Sequence, residues 1–366
     1  MSEKLGRNNP CWCGSGLKHK RCHLGREQKT PPTLEDAKKL LKESFDKSYC
    51  LHPDSESGNC KGKIVNAHTI QRNGGLSKIA INNHVYKLVR DFSTISSPTQ
   101  VEPKLIGIRK ASAFTGFCEY HDTKTFERIE KHPFTGEINQ IFLLAYRSLA
   151  REVFVHECQH AHAKRLQDYD RGLDITLQKE FQERHKYYCH GLSLGSKTLN
   201  RQKSIYDKAL LSRKYETMNF FIILIDKCPE ILCSGTSILE IDFQGNRFHQ
   251  LGRADIDQDI ITFSIIPTDK GGAVCFSTLD NSEDTKSFFN SLKILSKKQL
   301  PNAIARYTFA FYENTFISPS WWEDLKGNIK ESLIARMSLI SILPDDCLLD
   351  DGFKYVNWNI TDILTS

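Results

Sequence analysis

Asn9-Pro10-Cys11-Trp12-Cys13-Gly14-Ser15-Gly16-Leu17-Lys18-His19-Lys20-Arg21-Cys22-His23 packs three cysteines and a terminal histidine into one short, basic stretch punctuated by glycine. A tetrahedral zinc ion takes four nitrogen or sulfur donors. Cys11, Cys13, Cys22 and His23 supply a Cys3His set close enough in sequence for one loop to wrap the metal. Gly14 and Gly16 permit the backbone angles that a tight metal-wrapping turn demands, and Pro10 stiffens the approach. A run this short cannot bury a core, so the metal itself supplies its folding free energy.

Over residues Gly6 to Leu24 this stretch resembles the SEC-C motif, a small zinc module found as an accessory in many bacterial proteins; the CxC, the GSG and the terminal Cys-His are all present. The resemblance implies zinc binding and docking to a protein partner or the ribosome, and no chemistry.

A chain of 366 residues is long enough for two or three domains, each with its own core. No apolar run approaches the roughly 20 residues needed to span a bilayer, and the first residues lack the apolar segment of a secretory signal, so a cytoplasmic protein is expected. Twelve cysteines would otherwise read as a disulfide scaffold. Half of them, Cys11, Cys13, Cys22, Cys50, Cys60 and Cys118, sit beside glycine, lysine and histidine in the first third, whereas the later ones lie singly in apolar surroundings. Metal sites in a reducing compartment explain that distribution better than disulfides. The charge is also uneven. Residues 1–30 hold seven lysines and arginines against two glutamates, which favours phosphate or an acidic protein surface as a partner.

Further along, Gln28 to Thr33 reads as a linker, leaving the finger tethered and mobile, and Thr33 with Asp36 opens a helix. From Tyr49 to about Ile129 the pattern is short and irregular. Long helices follow, from Ile141 through His162, from Leu177 to Tyr188 and from Lys203 to Phe221. Beyond Ile231 the runs Ser237–Phe243, Ile260–Ile266 and Ala273–Phe276 read as strands joined by glycine turns, before helices return at Ser282–Lys297 and Ser320–Ser338.

A second donor set is visible across a long gap. Cys50 and Cys60 bracket a polar loop, and Cys118-Glu119-Tyr120-His121 has a CxxH spacing that puts two ligands on one metal, so Cys50, Cys60, Cys118 and His121 form another Cys3His set. His52 and His68 are alternative ligands there. The arrangement resembles the treble-clef scaffold of HNH nucleases, in which structural cysteine pairs support a hairpin and helix. That resemblance implies a catalytic role for His68 within Asn66-Ala67-His68-Thr69-Ile70, with Asn83 and His84 in the places of the later Asn and His; the last histidine of that pattern is not evident. A third motif, His156-Glu157-Cys158-Gln159-His160, is a formal HExxH. On a helix its histidines share a face, Glu157 could activate water, and Glu180 or Glu183 could complete a ligand set. The metzincin continuation is absent, since Ala163 and Leu166 stand where its glycine and third histidine belong.

The sequence therefore predicts an α+β multidomain protein: a SEC-C-like zinc finger (1–27), a linker and helix (28–48), a treble-clef/HNH-like zinc domain (49–135), a helical region (136–230) and a mixed α/β C-terminal region (231–366). It is expected to hold two structural Zn2+ ions and to recognise nucleic acid, a ribosome or a protein partner. An HNH-like endonuclease using His68 is the alternative, and a zinc peptidase using Glu157 ranks below it.

Overall fold

The computed structural model describes residues 5–55, 57–91, 100–248, 257–338 and 343–366. The chain mixes helices and sheets, as an α+β protein does. It falls into two compact units, one formed by Met1–Lys47 with Val155–Lys197 and the other by Ser48–Phe154 with Thr198–Ser366. In chain order the helices are α1 (Leu34–Phe45), α2 (Ser77–Ile79), α3 (Glu119–Glu130), α4 (Ile138–Leu166), α5 (Ile175–Ser212), α6 (Glu283–Ile294), α7 (Leu300–Phe311), α8 (Pro319–Asp324) and α9 (Gly327–Ser338). The strands are β1 (Ile64–His68), β2 (His84–Asp91), β3 (Gln100–Gly107), β4 (Ala113–Cys118), β5 (Asn219–Ile225), β6 (Ile231–Ile238), β7 (Ile260–Thr268), β8 (Gly271–Thr278), β9 (Thr315–Ile317) and β10 (Ile360–Thr365).

In the first unit, α1 starts where the sequence places it. The Thr33 side chain accepts from the Asp36 N–H at 3.1 Å while the Asp36 carboxylate accepts from the Thr33 N–H at 2.8 Å, a reciprocal cap. The segment before it departs from the expected free tether. Gly172, at φ 80°, donates its N–H to the Arg26 carbonyl at 3.0 Å, and a Cβ there would stand 2.8 Å from the Lys29 carbonyl oxygen. Only glycine allows that approach, so the stretch between finger and α1 is fastened to the turn between α4 and α5.

The second unit is organised by an eight-stranded antiparallel sheet in the order β10-β5-β8-β7-β6-β9-β2-β3. Alternate residues of β6 enter opposite faces: Ile231 and Cys233 join a large core with α6, α7 and α9, while Leu232 joins a smaller one with Ile70, Val85 and Phe316. Burial on both faces explains why these strands read as continuous apolar runs. The run Phe220-Phe221-Ile222-Ile223-Leu224-Ile225 is one of them. Reading helix through Phe221 was wrong: α5 ends at Ser212 and β5 begins at Asn219, because a short unbroken apolar run has no period that separates a buried strand from a buried helix. The helices read as Leu177–Tyr188 and Lys203 onward are one 38-residue helix, α5. A separate two-stranded pair, β1 with β4, runs directly into α3.

Candidate metal centres

The first centre is built by a miniature hairpin. The Cys11 N–H donates to the Leu17 carbonyl at 2.8 Å, and Gly14 (φ 77°) and Gly16 (φ 72°) turn the chain back between them. A short 3-10 turn, His19–Arg21, follows, and the His19 carbonyl accepts from the N–H groups of Cys22, His23 and Leu24. The result brings Cys11, Cys13, Cys22 and His23 together with all four donor atoms within 4.8 Å of one another. Cys13 Sγ and Cys22 Sγ are 3.5 Å apart, and His23 Nδ1 lies 3.2 Å from Cys11 Sγ and 3.1 Å from Cys22 Sγ. Around a tetrahedral zinc ion such separations are about 3.6–3.8 Å, so a small inflation of this set accommodates the ion.

The outer nitrogen of His23 is committed elsewhere. Nε2 stands 2.9 Å from Oδ2 of Asp170, whose side chain is 0% exposed, which fixes the tautomer that leaves Nδ1 free for a metal. Gln182 donates to the same carboxylate oxygen at 2.8 Å. Arg26 Nε lies 2.7 Å from Asp170 Oδ1 without hydrogen-bond alignment, so that contact is an ion pair only. Burial lowers the His23 pKa despite Asp170, keeping the imidazole neutral as a ligand must be. Burial and the neighbouring thiols push Cys22 up to about 12. Burial also works to raise Cys13, but hydrogen bonds from Ser15, Cys22 and Cys11 together outweigh it and leave that thiol lowered.

In the second centre, Tyr49 and Leu51 donate N–H groups to the carbonyls of Thr115 and Gly116, laying Cys50 alongside β4. Glu119 and Tyr120 donate to Lys63 and Lys61, drawing the Cys60 loop to the start of α3. Cys118 caps that helix, its sulfur accepting from the His121 N–H at 3.5 Å, so the CxxH spacing sets the imidazole one turn in. Cys50, Cys60, Cys118 and His121 again place four donors within 4.8 Å, with His121 Nδ1 at 3.4, 3.7 and 3.3 Å from the three sulfurs. Lys203 braces this centre from α5, donating to the Leu51 carbonyl at 2.8 Å and the Tyr146 hydroxyl at 3.0 Å while paired with Asp207.

The remaining sequence candidates are not gathered in this way. His52 joins a three-donor group with Asp54 and His121, stacked on the His121 ring at 3.9 Å. Among the described residues no group of three ligands includes His68, Asn83's neighbour His84, or the HExxH pair. His68 ends β1, its Nε2 buried without a hydrogen-bond partner and its pKa lowered by burial. His84 is exposed and turned back on the Asn82 carbonyl at 2.7 Å. His156 Nδ1 lies 3.1 Å from the Ser196 hydroxyl, and its ring packs against Gly195, where a Cβ would stand 2.6 Å from Nε2.

Residues 7–25 match the SEC-C motif. Over 35 residues, 10% of this chain, the sequence is 51% identical to the protein translocase subunit SecA of Chloroflexus aggregans, of which it covers 4%. No solved structure matches the chain. Among the described residues no helix is long and apolar enough to cross a membrane. The chain thus carries a SEC-C module and two Cys/His clusters able to hold metal ions.

Proposed function

We propose that this is a zinc-binding recognition protein. Cys11, Cys13, Cys22 and His23 hold one structural Zn2+, and Cys50, Cys60, Cys118 and His121 hold a second. The SEC-C module and a treble-clef-like domain over 49–135 present basic surfaces to nucleic acid, a ribosome or a protein partner. The observation that carries this reading is the closure of both sets: four protein donors fill a tetrahedral ion and leave no position for water or substrate, the signature of a structural site. Its thiols need a reducing compartment, which the cytoplasm provides. Circular dichroism and a gel-shift against total cellular RNA, before and after chelation, test it. Loss of both the finger's fold and the shift is expected; full binding by metal-free protein contradicts it.

The second reading is an HNH-like nuclease. It is favoured by the course of β1 and β4 into α3 beside the second cluster, with the unbonded His68 Nε2 at the strand's end. In that case His68→Ala abolishes plasmid cleavage and leaves the zinc content unchanged; no cleavage by the wild type removes this reading.

A further inference from the structure

An open pocket of about 640 Å³ lies beside the second cluster, walled on one side by the stacked His52 and His121 rings. Three cations reach it from separate elements: Lys61 from the Cys60 loop, Lys124 from α3 and Arg213 just beyond α5. None of the three is in an ion pair among the described residues; Glu127, three residues beyond Lys124, is bonded to Lys131 at 3.1 Å. Among the described residues Asp54 is the one carboxylate lining the pocket, where it stands against the three cations.

His52 adds a donor. Its Nδ1 accepts from the backbone N–H of Asp54 at 3.2 Å, which leaves the proton on Nε2. A ring held in that tautomer offers N–H to an anion and no lone pair to a cation, although His52, Asp54 and His121 are otherwise spaced for a metal. Leu143, Leu210 and the Tyr215 ring supply an apolar wall. A pocket of this size lined by both cationic donors and apolar surface suits a small ligand with a charged end and a flat body.

We infer that this pocket binds a phosphate monoester carrying a planar group, the chemistry of a mononucleotide, whether free or at the end of a nucleic-acid strand. The phosphate sits among Lys61, Lys124 and Arg213, and the planar group lies against Tyr215. This goes beyond the recognition role of the finger, which can fail or hold independently.

Isothermal titration calorimetry on the full zinc-loaded chain at low salt, with adenosine monophosphate, adenosine and inorganic phosphate, tests the assignment. The variant is Lys124→Gln with Arg213→Asn; asparagine is chosen because position 213 has φ 55°, which it tolerates. The monophosphate is expected to bind at least ten-fold tighter than adenosine. The double variant is expected to lose at least ten-fold with zinc content and circular dichroism unchanged. Equal affinity for adenosine and its monophosphate, no binding of any phosphate, or an unaffected double variant overturns the inference. So does a third equivalent of zinc lost on Asp54→Ala, which would give the pocket to a cation. A 5′-phosphorylated hexanucleotide binding more tightly than the free nucleotide, or less, identifies the source and supports the same chemistry in either case.

Discussion

Replacing Asp170 by asparagine removes one charge and almost no volume, at a residue 147 positions away from the histidine it orients. Asparagine keeps one acceptor, but the carboxylate now serves His23 Nε2, Gln182 and Arg26 together. An amide cannot satisfy all three, and its NH2 group must face one of these donors. With its oxygen in the place of Oδ2 and its NH2 group facing Arg26, the amide still accepts from the imidazole, but the negative charge that raises the imidazole's basicity and pairs Arg26 is gone. Outer-shell changes of this kind cost about 10–100-fold in metal affinity, equivalent to about 1.4–2.7 kcal/mol. Arg26, whose side chain is 6% exposed, keeps the exposed Asp168 at 2.6 Å and the Gln167 carbonyl at 3.3 Å but loses its buried counter-charge, which adds some loss of docking. Competition against a chromophoric zinc chelator reads the effect directly. One of two zinc ions should become 10–100-fold easier to extract while the other is unmoved. Unchanged extraction of both ions refutes the claim that Asp170 orients the metal-binding imidazole.

Other perturbations have separate readouts. Lys203→Met strips the Leu51 carbonyl and Asp207 of their buried donor and should cost roughly 2–3 kcal/mol, with zinc loosened in the second centre and not the first; equal loosening of both contradicts it. At Gly235 a Cβ would meet Tyr312 Cδ1 at 2.2 Å, in a buried ring stacked on Phe263. Gly235→Ala should therefore lower the unfolding free energy read from urea titration by about 1–3 kcal/mol, and an unchanged midpoint would mean the ring moves freely. Burial, then His160, depresses His156 to about 4, below its unfolded value of about 6.5. The unfolded chain binds the extra proton, so this contribution is intact above about pH 6.5 and is lost as pH falls toward about 4. His156→Gln should flatten that part of the stability curve relative to wild type; superimposable acid limbs would argue against it.

The first donor set was legible because all its ligands share one short loop, where spacing and glycine turns state the geometry outright. The second was legible as a set of residue types, and a gap of 58 positions between Cys60 and Cys118 did not hide it, because CxxH at a helix start has its own local logic. Asp170 and Lys203 could not be found this way. They act through single side chains on distant elements, and an isolated aspartate or lysine carries no periodic or spacing signal. The fastened finger was missed for the same reason: Gln28 to Thr33 has a linker's composition, and only the approach to Gly172 shows what holds it. The sheet was half legible. Glycine-bounded runs marked β7 and β8, but the pairing of β2 through β9 with β6 joins residues more than 140 positions apart and is decided by packing on both faces.

Elemental analysis of the purified chain, paired with thiol alkylation, tests the central claim most directly. About two equivalents of zinc are expected, with Cys11, Cys13, Cys22, Cys50, Cys60 and Cys118 protected until a chelator is added, and Cys13→Ser with Cys22→Ser should reduce the count to about one. A chain that carries no stoichiometric metal and whose six clustered thiols react at once would contradict it.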